Sequence, residues 1–344
     1  MDIRYSKPSG DLSGESRGLA DENARLLTDQ TRTAAALAGR PERTACLLCG
    51  TGLVDAPWFG HRGVNYCRCG ACGHVQTRVQ PPPGYPAAVG QPFAQIYPRL
   101  DRDAYDGRSR RIYAPKLEWI LSCAPALGAS RAGLLARRWM ELGCGAGYFL
   151  HALQQAGAEA VAGLDASEAL IQAGNAMLAR PAARHSAADL ADAVADNPAD
   201  IYAAWFVLEH ADDPRPFWSA LAAKPAGTLF CFSVPTFGFA TLLEGALPGL
   251  YARNLDSVLH CQLYTDRSIA HALAGAGYDI AAQWVFGQDS LDLRRLLAVD
   301  LERRCAPELL AELSPMLDAL TDPVQAAIDR AGLADARHVI AVKR

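Results

Sequence analysis

The sequence predicts an α/β protein: a parallel sheet with helices on both faces, preceded by a small cysteine-rich module and carrying a helical insertion near its C-terminal end. Three observations predict it. From Trp139 onward, short apolar runs alternate with helix-like segments, the pattern of strands joined by crossover helices. The first of those runs ends in a glycine turn, Gly143-Cys144-Gly145-Ala146-Gly147. Upstream stand two C-x-x-C pairs, Cys46 with Cys49 and Cys69 with Cys72.

The elements follow in order. Residues 1–45 are polar, then alanine-rich. They read either as a helix over 16–38, with Leu19, Leu26, Leu27 and Leu37 on a ragged apolar face, or as a flexible arm that orders against a partner or the main body. Residues 46–80 are the cysteine module. Pro81-Pro82-Pro83-Gly84 breaks any regular element, so 81–138 reads as linker and lid helices, with a helix starting over 115–124. The main domain is 139–344. Its strands are read at 139–142, 161–164, 200–207 and 228–234, and its helices at 148–156, 167–179 and 216–223. Ser167 caps the second helix, with Glu168 in its first turn. A helix at 265–275 and a strand at 279–286 follow, then a wholly helical stretch over 290–330 and a short last strand at 338–342.

Composition narrows the class. The chain has 344 residues, half of them hydrophobic and a fifth charged, with a net charge of −4. That is a soluble globular profile, and its sign does not suit a bulk nucleic-acid binder. No apolar run approaches a membrane span, and residues 1–10 lack the apolar core of a signal peptide, so a cytoplasmic protein is expected. Five of the ten cysteines fall between Cys46 and Cys72. Such crowding in a cytoplasmic chain reads as a metal site rather than a disulfide scaffold. The 19 residues between the two C-x-x-C pairs fit the spacing of structural zinc, and Gly50 and Gly73 follow each pair as tight knuckles require. Four thiolates close a tetrahedral site without a position for water, so Cys46, Cys49, Cys69 and Cys72 are expected to hold a structural Zn2+. Cys67 and His74 are the spare candidates.

The glycine turn carries the chemistry. Glycines let the backbone turn tightly and let a ligand approach without meeting a Cβ, and the helix after them offers free N–H groups. Nicotinamide and flavin enzymes use a related turn. Their pattern wants a further glycine where this chain has Tyr148, and Glu141 at the strand end suits a cationic ligand better than a pyrophosphate. The stretch from Trp139 to Leu150 resembles motif I of the class I S-adenosylmethionine methyltransferases, whose sheet is Rossmann-like. Further motifs keep the order. Val161-Ala-Gly-Leu-Asp165 looks like the second strand with the acid that, in that family, grips both ribose hydroxyls. Ala188-Asp189-Leu190 is similar to the segment that contacts adenine, with Asp189 toward the exocyclic amine. The run from Asp200 to Glu209-His210 looks like motif IV, followed by Asp213-Pro214. The resemblance spans roughly 139–286 and implies a cofactor site of Glu141, Gly143, Cys144, Gly145, Gly147, Asp165, Ala166, Asp189, Leu190 and Phe206.

A zinc knuckle ahead of such a core resembles a bacterial group that includes sugar C-methyltransferases. His260-Cys-Gln-Leu-Tyr264-Thr265, Gln288-Asp289 and the ending Gln325…Asp329…His338 add to that likeness. This chain is shorter than those enzymes, which leaves the substrate open. Methyl transfer needs alignment and, for an oxygen or carbon nucleophile, removal of a proton. His210, at the carboxyl edge of the sheet, is the candidate base, beside Glu209. His260 and Tyr264 are candidates to line the substrate pocket, Tyr105 and Tyr113 to form a lid, and Arg108, Arg110 and Arg111 to meet a phosphorylated acceptor. His61, His151, His185, His271 and His338 read as ordinary surface or packed residues. The expected partner is a small biosynthetic molecule, with a homodimer open. An RNA methyltransferase gripping its substrate through the zinc module, or a non-catalytic binding protein that keeps the fold, are the competing readings.

Overall fold

The computed structural model describes residues 2–8, 19–54, 57–80, 101–253, 255, 260–304 and 306–344. The Pro81-Pro82-Pro83-Gly84 breaker, Cys305 and the first three residues of the expected 16–38 helix lie outside them. Its strands in chain order are β1 (Asp2–Tyr5), β2 (Phe59–His61), β3 (Val64–Arg68), β4 (Val75–Thr77), β5 (Trp139–Leu142), β6 (Val161–Asp165), β7 (Ala183–His185), β8 (Ile201–Trp205), β9 (Leu229–Pro235), β10 (Gln262–Leu263), β11 (Tyr278–Phe286) and β12 (Ala336–Lys343).

Eight of these form the main sheet, in the order β1-β11-β12-β9-β8-β5-β6-β7. From β9 through β8 and β5 to β6 every pairing is parallel, as the alternating pattern predicts, and β7, a strand not read from the sequence, adds to the same edge in parallel. The other half mixes directions. β12 runs antiparallel between β9 and β11, because the chain returns to the sheet from the far end of its helical insertion. The insertion itself is helical as read, as Asp289–Arg304 and Pro307–Arg330.

Strand alternation divides the core. In β8, Tyr202 and Ala204 face one apolar cluster while Ile201, Ala203 and Trp205 face the other. In β9, Phe230, Phe232 and Val234 join the first cluster, and Leu229 and Cys231 the second. Each such large side chain, taken fully from water, stabilises the fold by roughly 1.5–3 kcal/mol. The second face is covered by Leu117, Trp119 and Ile120 of the helix Ala114–Ser122. The tail residues Gln288-Asp289 and Gln325…Asp329 meet in the fold. Asp289 accepts hydrogen bonds from the Ala240 and Asp335 backbone N–H groups and from Gln325, which also donates to Asp329 at 2.7 Å. That network ties the insertion to the sheet.

Two features depart from the segment boundaries read from sequence. The start of the arm is not loose: β1 adds to the sheet edge in parallel with β11, and Arg4 lies 3.9 Å over the Trp284 ring. All four β1 residues are exposed, so no alternation betrays the strand. The arm helix forms over Leu19–Ala35, but its deeply buried residues are Asn23, Gln30 and Ala34, with Leu37 just beyond its end. Asn23 donates to the Leu250 carbonyl and accepts from the Ala252 N–H, so a polar pair, not a leucine stripe, seats it.

The cysteine module is likewise no separate bead. Its small antiparallel sheet runs β10-β4-β3-β2, and β10 comes from the main domain. Leu48, Cys46, Cys69 and Cys72 belong to the same apolar cluster as Met140, Phe232 and Tyr264. The module is welded to the face of the sheet it precedes in sequence.

Candidate active site

β5 ends at Leu142, and the next five residues reverse the chain into the helix Tyr148–Gln155. Gly143, Gly145 and Gly147 have φ of 66°, 52° and 74°, the left-handed region. Gly143 also has no room for a side chain, since a Cβ would stand 2.6 Å from Val207. A Cβ on Gly145 would meet nothing within 4 Å, so its backbone faces open space. The two should therefore respond differently to alanine. Gly143→Ala is expected to cost about 2–4 kcal/mol of stability from strain plus overpacking, read by urea unfolding. Gly145→Ala is expected to cost only about 1–2 kcal/mol of stability while obstructing whatever ligand lies over the turn.

Asp165, at the end of β6, reaches this turn. Its Oδ2 accepts from the Gly145 N–H at 2.8 Å and its Oδ1 from the Ser167 N–H at 2.8 Å. A carboxylate has capacity for further donors beyond these two. Glu141 and Cys144 are buried beneath, and burial pushes both acids well above their ordinary ranges. Asp189, expected to reach an adenine amine, uses Oδ1 to cap the helix Leu190–Asp196 through the Asp192 N–H at 2.9 Å. Ala166, next to Asp165 in the chain, is exposed, and its carbonyl lies 3.2 Å from His185 Nε2.

Behind the turn packs the segment that precedes β5. Tyr105 donates to the Ala146 carbonyl at 2.8 Å, and its ring stacks on Tyr148 at 4.5 Å, with Tyr113 on the same ring at 5.5 Å. Tyr105 is fully buried, so it braces the turn from behind rather than forming a movable lid. Arg110 and Arg111 are exposed, and Arg108 lies over the Tyr148 ring.

The carboxyl end of β8 carries the second group of candidates. Phe206 takes φ of 56°, the left-handed region, which strains a bulky side chain, and remains 37% exposed. A short turn, Leu208–His210, follows. Gln262 in β10 pins it by donating to the Leu208 and Ala211 carbonyls, and His74 Nε2 lies 3.0 Å from its Oε1. This brings His260 onto His210, with ring centroids 5.4 Å apart and planes 27° apart. Glu209 is 1% exposed, and burial pushes its carboxyl up to about 8. The ligand atoms of Glu209, His210 and His260 all lie within 4.8 Å of one another.

Tyr264 does not join them. It is fully buried in the apolar cluster with Leu208 and Ile269, its ring edge-on to His74 at 5.0 Å. Its backbone bridges Thr236 beside β9, which turns the side chain into the core instead of toward a pocket. The reading of Tyr264 as a pocket-lining residue is corrected accordingly.

The sequence reading passed over one cluster on the same edge. Lys116 is buried with its Nζ 4.8 Å from the Trp205 ring and 5.6 Å from Phe206, and burial pushes it down to about 7. His338 bonds Ser233 and is ringed by Trp205, Trp284 and Phe286. A lysine on the apolar face of the 114–122 helix was the available signal.

Upstream, the four knuckle cysteines converge as read. Their sulfurs lie within 4.8 Å of one another, with Cys46–Cys72 and Cys49–Cys69 both at 3.6 Å. Tetrahedral zinc at about 2.3 Å from each sulfur sets the sulfurs about 3.8 Å apart, so the set fits that ion. The spares are engaged elsewhere: Cys67 meets Arg78, and His74 meets Gln262.

The family described as Methyltransferase domain matches residues 105–283, more than half of the chain. No curated protein matches it. Among solved structures, the magnesium protoporphyrin IX methyltransferase of Synechocystis PCC 6803 with bound SAH is 14% identical, with 76% of this chain and 96% of that one covered at a TM-score of 0.46. A SAM-dependent methyltransferase from Archaeoglobus fulgidus is 17% identical, with 74% and 99% covered and a TM-score of 0.42. Another from Geobacter sulfurreducens, in complex with S-adenosyl-L-homocysteine, is 16% identical, with 67% and 91% covered and a TM-score of 0.40.

Proposed function

The chain belongs to the family of methyltransferase domains, and we propose that it transfers a methyl group from S-adenosylmethionine to a small biosynthetic molecule, at oxygen, nitrogen or carbon. The observation that carries the reading is the open Gly145 backbone, held by the Asp165 carboxylate at the carboxyl edge of β5 and β6. There a ribose and a sulfonium can lie across the turn without meeting a side chain. Asp165 keeps acceptor capacity for ribose hydroxyls, and Glu141, Ala166, Asp189, Leu190 and Phe206 surround that place in the sequence motifs.

The acceptor enters beyond β8, over Phe206 and His210. In-line transfer asks the protein to align the acceptor atom, the methyl carbon and sulfur. His210, half-buried beside His260, takes the acceptor's proton. The four cysteines hold a structural Zn2+, which keeps the small sheet on the main domain. A net charge of −4 favours a small molecule over RNA as acceptor. No helix among the described residues is long and apolar enough to cross a membrane.

Release of S-adenosylhomocysteine, screened over sugar nucleotides and natural-product intermediates, tests the activity. Once an acceptor is found, His210→Asn is expected to slow turnover by about 10²–10⁴-fold while cofactor binding persists. Unchanged turnover would refute His210 as the base. Steeply salt-dependent retention of RNA would replace the small acceptor with RNA.

A further inference from the structure

From the convergence of Glu209, His210 and His260, we infer that this edge of the sheet is a second metal site, which takes one divalent transition-metal ion independently of the four cysteines. Three observations support it. The ligand atoms of the three residues already lie within 4.8 Å of one another, though His260 is 50 residues from His210 in sequence. Ligands bound at about 2.0–2.2 Å stand some 3–4 Å apart, so small side-chain rotations close the set. Second, Glu209 Oε2 is buried and makes no hydrogen bond among the described residues, a polar atom left at a cost unless something meets it. Third, the geometry is built rather than incidental. Gln262 clamps the Leu208 and Ala211 carbonyls, which fixes the turn bearing Glu209 and His210 against the segment bearing His260.

The chemistry of the set is definite. Two imidazoles and one carboxylate form a borderline-soft triad that leaves coordination positions open, unlike the closed cysteine cluster. His210 and His260 are half-buried, so an ion has a way in and the open positions face the side where an acceptor would lie. The ligand this implies is a divalent cation of the zinc, cobalt or manganese type. The acceptor it would orient bears oxygen donors, a hydroxyl beside a carboxylate or a second hydroxyl. The inference deepens the methyltransferase reading and rests on it only for the acceptor. In the metal-free protein His210 is the base; with the ion bound its imidazole lone pair is used in ligation, and the ion instead acidifies an acceptor hydroxyl bound to it, whose proton passes to solvent.

The test uses the full chain with zinc on its cysteines, titrated with Co2+. The expected result is one further equivalent bound, with weak visible bands and without the intense charge-transfer absorption that thiolate ligation gives. Glu209→Gln and His260→Gln should each raise the Co2+ dissociation constant at least about 10-fold, with the thermal midpoint and S-adenosylhomocysteine binding kept. No uptake beyond the thiolate site would overturn the inference, as would uptake that survives both substitutions. Failure of S-adenosylmethionine to bind would overturn the methyltransferase reading instead, and would leave the Co2+ count unchanged.

Discussion

Asp165→Ala is expected to weaken S-adenosylmethionine binding by roughly 10²–10⁴-fold, the largest effect on cofactor affinity of any single substitution at the site. Hydrogen bonds to a charged acceptor are worth about 1.5–3 kcal/mol each, and the proposed ribose contact would lose two. The turn also loses its tie, because Asp165 Oδ2 holds the Gly145 N–H at 2.8 Å and Oδ1 holds the Ser167 N–H. Asp165→Asn separates the two contributions. One amide oxygen can still accept from one backbone N–H, so the fold should keep its melting temperature within a few degrees while affinity stays low. Calorimetry with S-adenosylmethionine and S-adenosylhomocysteine reads the outcome. Equal affinity in wild type and Asp165→Ala would remove the cofactor from this turn.

Stripping the metal from the cysteine cluster is expected to lower the melting temperature by more than about 10 °C. Structural zinc contributes folding energy directly, and in a chain of this size 1 kcal/mol corresponds to about 2–4 °C or less. The effect should reach the main domain, because Cys46, Cys69 and Cys72 pack in the cluster of Phe232 and Tyr264, and β4 pairs with β10. Cys49→Ser and Cys72→Ser should reproduce the loss. Cys67→Ser should not, since its sulfur lies outside the cluster against Arg78. Metal analysis after dialysis should find zinc at the cysteines of the wild type and of Cys67→Ser. A metal-free wild type with an unchanged melting curve would remove the zinc site.

The elements that were legible in the sequence are those whose physics is local. Ser167 at the start of its helix, with a hydroxyl that accepts from the Leu170 N–H, is written in four residues. The same holds for Thr265, whose hydroxyl and Ser268 cap the helix Asp266–Gly275 reciprocally. Strands β5, β8 and β9 are buried along their whole length because helices cover both faces, and that leaves hydrophobic runs interrupted only by Glu141 and Ser233. β1 and β10 gave no such signal. One is an exposed edge and the other is two residues long, and each exists because a neighbouring strand offers a free row of backbone groups.

The sequence by itself determined the parallel strands β5, β6, β8 and β9, the glycine turn with its acid at Asp165, and the convergence of four cysteines at fixed spacing. These follow from periodicity, from backbone conformations that only glycine tolerates and from the short loops between paired ligands. Only the tertiary structure decided that Tyr264 turns into the core, that Lys116 is buried against Trp205 and that His260 lies on His210 beside Glu209. Those outcomes depend on residues dozens to hundreds of positions apart, brought together by strand order and by the Gln262 clamp. No local pattern records which side of a strand end a distant loop will cover.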